Sequence, residues 1–226
     1  MTREATENAI ADPEALATLP IFPLADCVLL PGGLLPLHVF EPRYRDLTRD
    51  CLAGRRLIGM ARLRPGHDSD YDSRPPIYDR CGVGRIMASE ELPDGRFVLL
   101  LRGVARVEIA RELPADRSYR LVEAHRLIDA HCDANAARGH HKLLVTLCDQ
   151  LAGVIEQGGS QLRDLVRGCE SPGACADAVA AALVADPDAR QELLESCDPI
   201  DRLERTIGHV GQLLCELAPA AGGAVN

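Results

Sequence analysis

The chain has 226 residues and a formal net charge of −9; 46% of its residues are apolar and only 3% are aromatic. The apolar share suffices for a buried core, whereas the negative charge argues against broad binding to a phosphate backbone. No apolar run reaches bilayer-spanning length and no leader pattern opens the chain, so we expect a cytoplasmic protein without membrane contact. The nine cysteines include no C-x-x-C pair, which favours reduced and mostly buried thiols.

Residues 1–17 are polar and alanine-rich, and we expect a loose tail or a poorly held helical turn. Residues 18–130 form the first predicted domain, because short apolar runs separated by proline and glycine predict β-strands. Asp94-Gly95 predicts a hairpin, and prolines inside the first two runs predict edge strands, bulges or bends. The predicted strand runs are LPIFPL, LLPLHVF, RLIGMARL, GVGRIMASEEL, RFVLLLR, ARVEIA and YRLVEAHRL.

One helix is predicted inside this β-rich region, within the stretch PLHVFEPRYRDL and the residues after it. Glu41 suits the N-cap and Pro42 the first helical position, and Gly54 would supply a left-handed C-terminal cap. The polar segment 64–76 is expected to be a mobile loop. The helical stripe consists of Tyr44, Leu47, Thr48, Cys51 and Leu52.

Residues 131–218 are predicted to be a helical domain, followed by a tail over residues 219–226. Three helix starts pair an N-cap residue with proline: Ser171-Pro172, Asp186-Pro187 and Asp198-Pro199. The first helix of the domain carries an apolar stripe of Leu143, Leu144, Leu147, Leu151, Val154 and Ile155. The last helix carries a narrow seam, for which packing inside the protein's own bundle is favoured over a dimer contact; its residues are Ile200, Leu203, Ile207, Val210, Leu214 and Leu217.

The sequence carries no enzyme signature. Lys142 is the sole lysine, which excludes a P-loop, and no serine stands near it for a Ser–Lys pair. Gly82 and Gly84 lead into a strand and lack a third glycine, so they make no dinucleotide fingerprint. A Cys–His pair remains open in principle, but we expect a non-catalytic protein without a cofactor.

A metal site is the strongest alternative to a protein without a cofactor. Five candidate ligands fall within 17 residues, together with Asp133: His125, His131, Cys132, His140 and His141. Their spacing fits no standard zinc pattern, and adjacent histidines on a helix point about 100° apart. Solvated polar residues are the favoured interpretation, and whether these side chains hold a metal stays open.

Residues 19–52, LPIFPLADCVLLPGGLLPLHVFEPRYRDLTRDCL, resemble the start of the substrate-binding N-terminal domain of Lon proteases. The likeness continues through residues 82–109 and 189–207, and it is strongest to the stand-alone bacterial proteins that carry this domain alone. Two departures are Gly84-Arg85, where a small-residue step is usual, and Val107, where an aromatic residue is common. The resemblance implies an α+β fold: a β-rich, PUA-like pseudo-barrel followed by a C-terminal helical bundle.

The resemblance also implies a non-catalytic protein that binds unfolded or exposed polypeptide segments and serves as an adaptor, with a protease or chaperone machine as partner. The ATPase and peptidase of full Lon proteases lie further along their chains, and we expect neither here. Because PUA domains bind RNA, an RNA-binding module is the alternative function. The net charge and the scarcity of stacking aromatic residues weigh against nucleic acid.

The predicted binding surface is the corner between the second strand and the helix, together with two arginines of the neighbouring sheet. The competing interpretation is that Phe40 and Tyr44 pack in the core and that Arg106 is solvated or ion-paired. The oligomeric state and the identity of the client are left open. The candidate residues are Phe40, Glu41, Arg43, Tyr44, Arg102 and Arg106.

Overall fold

The computed structural model describes residues 13–66 and 74–217, which contain six strands and seven helices. The strands are β1 (Leu19–Leu24), β2 (Leu34–Val39), β3 (Leu57–Arg62), β4 (Arg80–Glu91), β5 (Phe97–Glu112) and β6 (Arg120–Leu127). The helices are α1 (Pro13–Ala17), α2 (Pro42–Ala53), α3 (Ala134–Val154), α4 (Gly159–Arg167), α5 (Pro172–Leu183), α6 (Pro187–Glu195) and α7 (Pro199–Leu217). The predicted α+β class, β-rich first and helical after it, is confirmed.

Five strands close into a barrel. The sheet order is β2-β5-β4-β3-β1-β6. Strand β6 also pairs with β5, so the five strands from β5 to β6 form a closed ring. The β1–β3 pair is parallel and the other pairs are antiparallel. Closure removes the free edges of these five strands, while β2 pairs with β5 alone and remains an edge strand.

The prolines of β1 and β2 occupy places where a missing N–H is tolerated. Residues 19–21 of β1 pair with β6, and residues 21–24 pair with β3. Each half of β1 therefore has a neighbouring strand on one side only, and backbone groups on its other side form no hydrogen bond within the sheet. Pro20 lies in the first half and Pro23 in the second. The sequence-based expectation of edge positions is confirmed for β2, and β1 shows a second solution, in which a strand changes partner midway.

Strand β5 joins two of the predicted runs into one 16-residue strand that passes through Gly103. A Cβ at Gly103 would lie 2.1 Å from the carbonyl oxygen of Leu30, and a Cβ at Gly82 would lie 1.9 Å from that of Leu29. The segment before β2 therefore rests on the sheet where side chains are absent. This close approach explains why residue 82 is a glycine, although it belongs to no dinucleotide-binding fingerprint.

The predicted β4–β5 hairpin is confirmed. Gly95 has a φ of 77°, which only glycine adopts easily, and the N–H of Leu92 donates to the carbonyl of Arg96 at 2.8 Å. Asp94 accepts from the Arg96 N–H at 3.1 Å, and this backbone hydrogen bond, ahead of the Arg96 side chain, lowers the pKa of Asp94. The hairpin pairs β4 with residues 97–108 of β5.

Helix α2 buries the predicted stripe of Tyr44, Leu47, Thr48 and Cys51. The expected left-handed cap at Gly54 is wrong, since Gly54 has φ −110° and ψ −131°. The left-handed residue is Arg56, at φ 59°, whose N–H donates to the Cys51 carbonyl at 2.9 Å. The chain thus reverses two residues later than predicted.

Helices α1 and α6 group with the barrel in the first of two compact units, which comprises the chain up to Ile128 and residues 186–195. Ala15 and Leu16 are buried in the barrel core, so residues 13–17 form a packed helix, while residues 1–12 lie outside the described residues. Asp188 of α6 pairs with Arg62 of β3 at 2.7 Å. The predicted domain boundaries at 17/18 and 130/131 stay a prediction.

The second unit comprises residues 129–185 and the chain from Ser196 onward. All three predicted helix starts are confirmed: Ser171 accepts from the Ala174 N–H, and Asp186 and Asp198 accept from N–H groups two or three residues on. Leu203 and Val210 of the α7 seam are buried among the other helices of this unit, as predicted. Leu217, at the end of the seam, is exposed.

Helix α3 exposes part of its predicted apolar stripe. Leu144 and Leu151 are buried, but Leu143 and Val154 are exposed. Among the described helices, none is both long and apolar enough to cross a bilayer. Residues 67–73 of the predicted loop at 64–76 and the predicted tail at 219–226 lie outside the described residues.

Candidate functional site

The corner after β2 begins α2 as the sequence predicts. Glu41 is the N-cap residue and Pro42 the first helical residue, and the Glu41 carbonyl accepts from the Tyr44 and Arg45 N–H groups. The Glu41 carboxylate does not bond to the helix N–H groups; it pairs with the Arg43 guanidinium, 2.9 Å from Nη2. This ion pair leaves little charge at the corner for a ligand.

Tyr44 is part of the core. It is 4% exposed, and its ring stacks on that of Phe22 with a centroid separation of 4.1 Å and an interplanar angle of 17°. The Arg43 guanidinium also lies over the Tyr44 ring, 4.8 Å from its centroid. Tyr44 is therefore a packing residue, which the competing interpretation predicted.

A pocket of about 200 Å³ lies beside Arg43 and Tyr44. Its arginines have carboxylate partners: Arg120 bonds to Glu112, and Arg117 lies 3.2 Å from Asp50. These ion pairs leave the pocket without a strong excess charge for an anion. Its lining residues are Pro23, Arg43, Tyr44, Leu63, Arg74, Pro75, Ala115, Arg117, Ser118, Tyr119 and Arg120.

Tyr119 closes one side of this pocket. Its hydroxyl donates to Asp50 Oδ2 at 2.6 Å. Burial, followed by this hydrogen bond, raises the pKa of Tyr119, so the phenol stays protonated and serves as a structural donor at neutral pH. No reacting group therefore emerges at the corner pocket.

The outward surface of β2 and β5 is different, because it is open and apolar. Over residues 97–102 of β5 the side chains alternate, with Phe97, Leu99 and Leu101 buried and the residues between them turned outward. Since directly opposite residues of an antiparallel pair share a face, Leu34, Pro36 and His38 of β2 lie beside Arg102, Leu100 and Val98 of β5. We call this surface the outer sheet face.

Four large apolar side chains are exposed on or beside this face, namely Leu34 at 64%, Phe40 at 61%, Met87 at 52% and Val98 at 43%. Phe40 follows β2, and its ring is 6.2 Å from that of His38. Met87 is the extra residue of a β-bulge in β4, next to Ala88, which pairs with Leu100. The expectation that Phe40 packs in the core is wrong.

The two predicted arginines separate. Arg102 is exposed on the outer sheet face, opposite Leu34. Arg106 is 4% exposed, which contradicts a solvated strand residue and removes it from any open surface.

The free edge of β2 borders the same face. The Gly103 N–H donates to the Gly33 carbonyl at 2.8 Å, and in this register the odd-numbered residues of β2 bond to β5. The backbone groups of Leu34, Pro36 and His38 therefore point toward the open edge, where Pro36 offers no N–H. An added strand would meet an interrupted row of donors, so side-chain contacts dominate what this edge can bind.

The metal candidates do not assemble. Within residues 13–66 and 74–217, no three side chains of His, Cys, Asp or Glu are grouped to hold a metal ion. Asp133 caps α3 by accepting from the Asn135 and Ala136 N–H groups. His140 lies 3.1 Å from Glu204 and 2.9 Å from the Ala136 carbonyl. Asp133 and His140 therefore have structural partners.

Sequence reasoning missed Leu34, Met87 and Val98. The alternation of RFVLLLR marks Val98 as facing opposite to Phe97 and Leu99, so its face was readable, but which face of the sheet is left uncovered was not. Met87 is exposed because of a bulge, for which the sequence has no signal. Of the predicted residues, the outer sheet face unites Phe40 and Arg102 only.

A closed barrel with one open apolar sheet face, followed by a helical unit, defines a small α+β domain without an evident catalytic centre among the described residues. Residues 18–212 match the ATP-dependent protease La (LON) substrate-binding domain family, and the chain belongs to that family. The membership supports a role in substrate recognition. The comparisons lend no support to the RNA-binding alternative.

Curated relatives include Lon protease of Trichlorobacter lovleyi, 31% identical over 208 residues, covering 88% of this chain and 25% of the relative. Lon protease of Dictyoglomus thermophilum is 30% identical over 190 residues, covering 83% of this chain and 23% of the relative. The chain thus spans about a quarter of the length of the curated relatives that it matches. The region matched is the substrate-binding domain.

Two solved structures share the fold. The Lon N-terminal domain protein from Xanthomonas campestris has 27% identity and a TM-score of 0.61, covering 84% of this chain and 97% of that chain. The N-terminal domain of the Mycobacterium avium complex Lon protease has 19% identity and a TM-score of 0.65, covering 86% of this chain and 98% of that chain.

Proposed function

We propose that this chain is a non-catalytic polypeptide-binding protein whose outer sheet face holds exposed apolar segments of unfolded clients. The observation that carries the proposal is the exposure of Leu34, Phe40, Met87 and Val98 around one sheet surface. Such a concentration of apolar side chains at an edge strand favours aggregation unless a partner covers it. Membership of a substrate-binding family makes a polypeptide the partner of choice.

The face favours an extended segment whose side chains dock on it. Because Pro36 interrupts the edge, main-chain pairing contributes less than in regular strand addition, and apolar side-chain burial supplies most of the affinity. Arg102 adds a positive charge beside Leu34, which favours a client with an acidic residue next to its apolar stretch. The expected ligand is therefore an apolar segment with a carboxylate near one end.

The test is a peptide-binding titration. Fluorescence anisotropy of a labelled 15-residue peptide rich in leucine, valine and phenylalanine, with one aspartate near its end, is followed against the purified full chain. The Leu34→Ser/Phe40→Ser double variant should weaken binding about 10- to 100-fold, since covering the exposed parts of the two side chains contributes about 2 kcal/mol. Arg102→Gln should weaken binding of this peptide more than binding of its aspartate-to-asparagine counterpart.

The matched control is Leu143→Ser/Val154→Ser, which removes two similarly exposed apolar side chains from α3. This variant should bind the peptide like the unmodified chain. Equal affinity of the outer-face variant and the unmodified chain, with both folded by circular dichroism, would remove the outer sheet face from the proposal. A single-stranded RNA of 15 nucleotides should give no anisotropy change at micromolar protein and low salt, and a clear change would favour the RNA alternative.

The same proposal includes a partner machine. The relatives are named Lon protease, so a protease or chaperone machine is the expected recipient of clients held by this chain. Adding the chain to a purified Lon protease and an unfolded apolar client should change the rate of client loss. The Leu34→Ser/Phe40→Ser variant should abolish that change.

A further inference from the structure

Charged residues of opposite sign stand at the two ends of the outer sheet face. Arg102 is exposed at the end next to Leu34, with which it pairs. Arg85 of β4, which is buried, also pairs with Arg102, so the basic residues of this part of the sheet are grouped at one end. The other end carries an acidic residue, Glu90 of β4.

The strand register assigns Glu90 to the outer sheet face. Glu90 pairs with Val98, and Val98 pairs on its other side with His38. All three residues are exposed. Since directly opposite residues of antiparallel strands share a face, the Glu90 side chain stands beside that of Val98 on the outer sheet face.

The β-bulge in β4 is what turns Glu90 outward. Ile86, before the bulge, is buried, whereas Ala88, after it, is exposed. Residues two apart in a regular strand point to the same face, so the extra residue Met87 exchanges the two faces of the strand beyond it. Glu90, two residues after Ala88, is therefore on the open side of the sheet.

The separation of the two charged ends matches an extended segment. Arg102 and Val98 are four residues apart on β5, which corresponds to about 13 Å along a strand, and Glu90 stands one strand to the side of Val98. In an extended client, residues four positions apart also point to one face and are separated by about 13 Å. The row of side chains between the two ends is apolar and consists of Ala88, Leu100 and Pro36.

We propose that Glu90 is a specificity-determining residue of the outer sheet face, which selects segments with an acidic and a basic residue four positions apart around an apolar residue. This inference rests on the polypeptide-binding function proposed above. The client carboxylate lies at Arg102, its ammonium or guanidinium group lies at Glu90, and the apolar side chain midway packs on Leu100. A segment with two like charges meets repulsion at one of the two ends, so it binds less tightly.

Three labelled peptides test the proposal by fluorescence anisotropy with the purified full chain. They share one 15-residue apolar sequence and carry, four positions apart, an aspartate and a lysine, two aspartates, or two lysines. At low salt and about pH 8, where histidine is uncharged, the aspartate–lysine peptide should bind about 2- to 5-fold more tightly than either of the others, as expected for an exposed charge pair. Salt at about 1 M should remove this preference and leave the apolar part of the binding.

Charge-reversal variants assign the preference to residues. Glu90→Arg should bind the two-aspartate peptide most tightly, and Arg102→Glu should bind the two-lysine peptide most tightly. The matched control is Glu156→Arg, which changes the net charge as Glu90→Arg does, at an exposed residue that follows α3. This control should retain the preference for the aspartate–lysine peptide.

Two results would overturn the role of Glu90 and leave the polypeptide-binding function in place. One is equal affinity of the unmodified chain for the three peptides, with binding that the Leu34→Ser/Phe40→Ser variant still weakens. The other is a Glu156→Arg variant that changes its preference as Glu90→Arg does, because overall charge would then suffice. If none of the three peptides binds, the polypeptide-binding function itself fails, and the selection by Glu90 fails with it.

Discussion

Two aromatic residues four positions apart show how differently this fold uses similar side chains. Phe40 ends an edge strand and is 61% exposed, whereas Tyr44 lies in the first turns of α2, is 4% exposed and stacks on Phe22. Residue type alone does not tell which of the two rings lies on the surface. The chain changes from strand to helix at Pro42, and this change places the two side chains in different environments. Phe40 belongs to a surface and Tyr44 to the core.

This difference predicts opposite effects of truncation. Tyr44→Ala should reduce the free energy of unfolding by about 3–4 kcal/mol, because it removes a stacked, buried ring and leaves a cavity. Phe40→Ala is the matched control and should change it by less than about 1 kcal/mol, since its ring is mostly in water. Urea denaturation of both variants measures the two values, and a large loss for Phe40→Ala would contradict its surface position.

Glycines allow a second comparison at this scale. A Cβ at Gly82 would meet the Leu29 carbonyl oxygen at 1.9 Å, whereas a Cβ at Gly208, within α7, would meet nothing within 4 Å. Gly82→Ala should therefore destabilise the fold by at least about 3 kcal/mol, through displacement of the segment that rests on the sheet. Gly208→Ala should stabilise it by about 0.5–1 kcal/mol through helix propensity. Urea midpoints that change equally would refute the close approach at Gly82.

At the scale of elements, the helix starts follow local chemistry. Ser171, Asp186 and Asp198 each cap a helix whose first residue is proline, and Asp133 caps α3 with two backbone hydrogen bonds. These contacts involve residues two or three apart, so they form with little help from the rest of the fold. The three caps that precede a proline were therefore predicted from the sequence. The Asp133 cap was not predicted, and the predicted N-cap residue Glu41 makes no side-chain hydrogen bond to the helix N–H groups.

The Asp133 cap predicts a pH dependence. The backbone N–H groups of Ala136 and Asn135 lower the pKa of Asp133 below its ordinary value of 3.8. Because the folded-state pKa is depressed, the contribution to stability is present above about pH 4 and is lost as the pH falls through the folded-state pKa. Asp133→Ala should lower the urea midpoint at pH 7, and the difference from the unmodified chain should shrink toward pH 3.

Asp133→Asn supplies the control, since an uncharged amide oxygen still accepts from the helix N–H groups. This variant should keep most of the stability at pH 7. A midpoint difference for Asp133→Ala that is the same at pH 7 and pH 3 would contradict the carboxylate cap.

The strands show where sequence reasoning ends. The hairpin at Asp94-Gly95, the edge position of β2 and the buried stripe of α2 follow from local patterns, and each was predicted. The joining of two runs into β5, the left-handed Arg56 and the exposure of Leu143 depend on what packs against those residues, which no local pattern records. The candidate site was predicted least accurately, because the exposure of Phe40 and the burial of Arg106 depend on how the closed barrel packs.

For the whole molecule, three features together support the proposed polypeptide binding: the net charge of −9, the closed barrel and the open apolar face. A negatively charged chain repels a phosphate backbone and remains well solvated while it exposes Leu34, Phe40, Met87 and Val98. Since barrel closure leaves β2 as the edge strand, we propose these side chains as the place where a client segment binds.

Photocrosslinking tests this central claim most directly. A 15-residue apolar peptide that carries a diazirine side chain is bound to the full chain, irradiated, and the linked residues are identified by mass spectrometry after proteolysis. The crosslinks should fall on residues 34–40, 87–90 and 97–102, and an unlabelled copy of the peptide should compete them away. Crosslinks confined to α3 or α7, near Leu143 and Leu217, with none on the outer sheet face, would contradict the proposed binding surface.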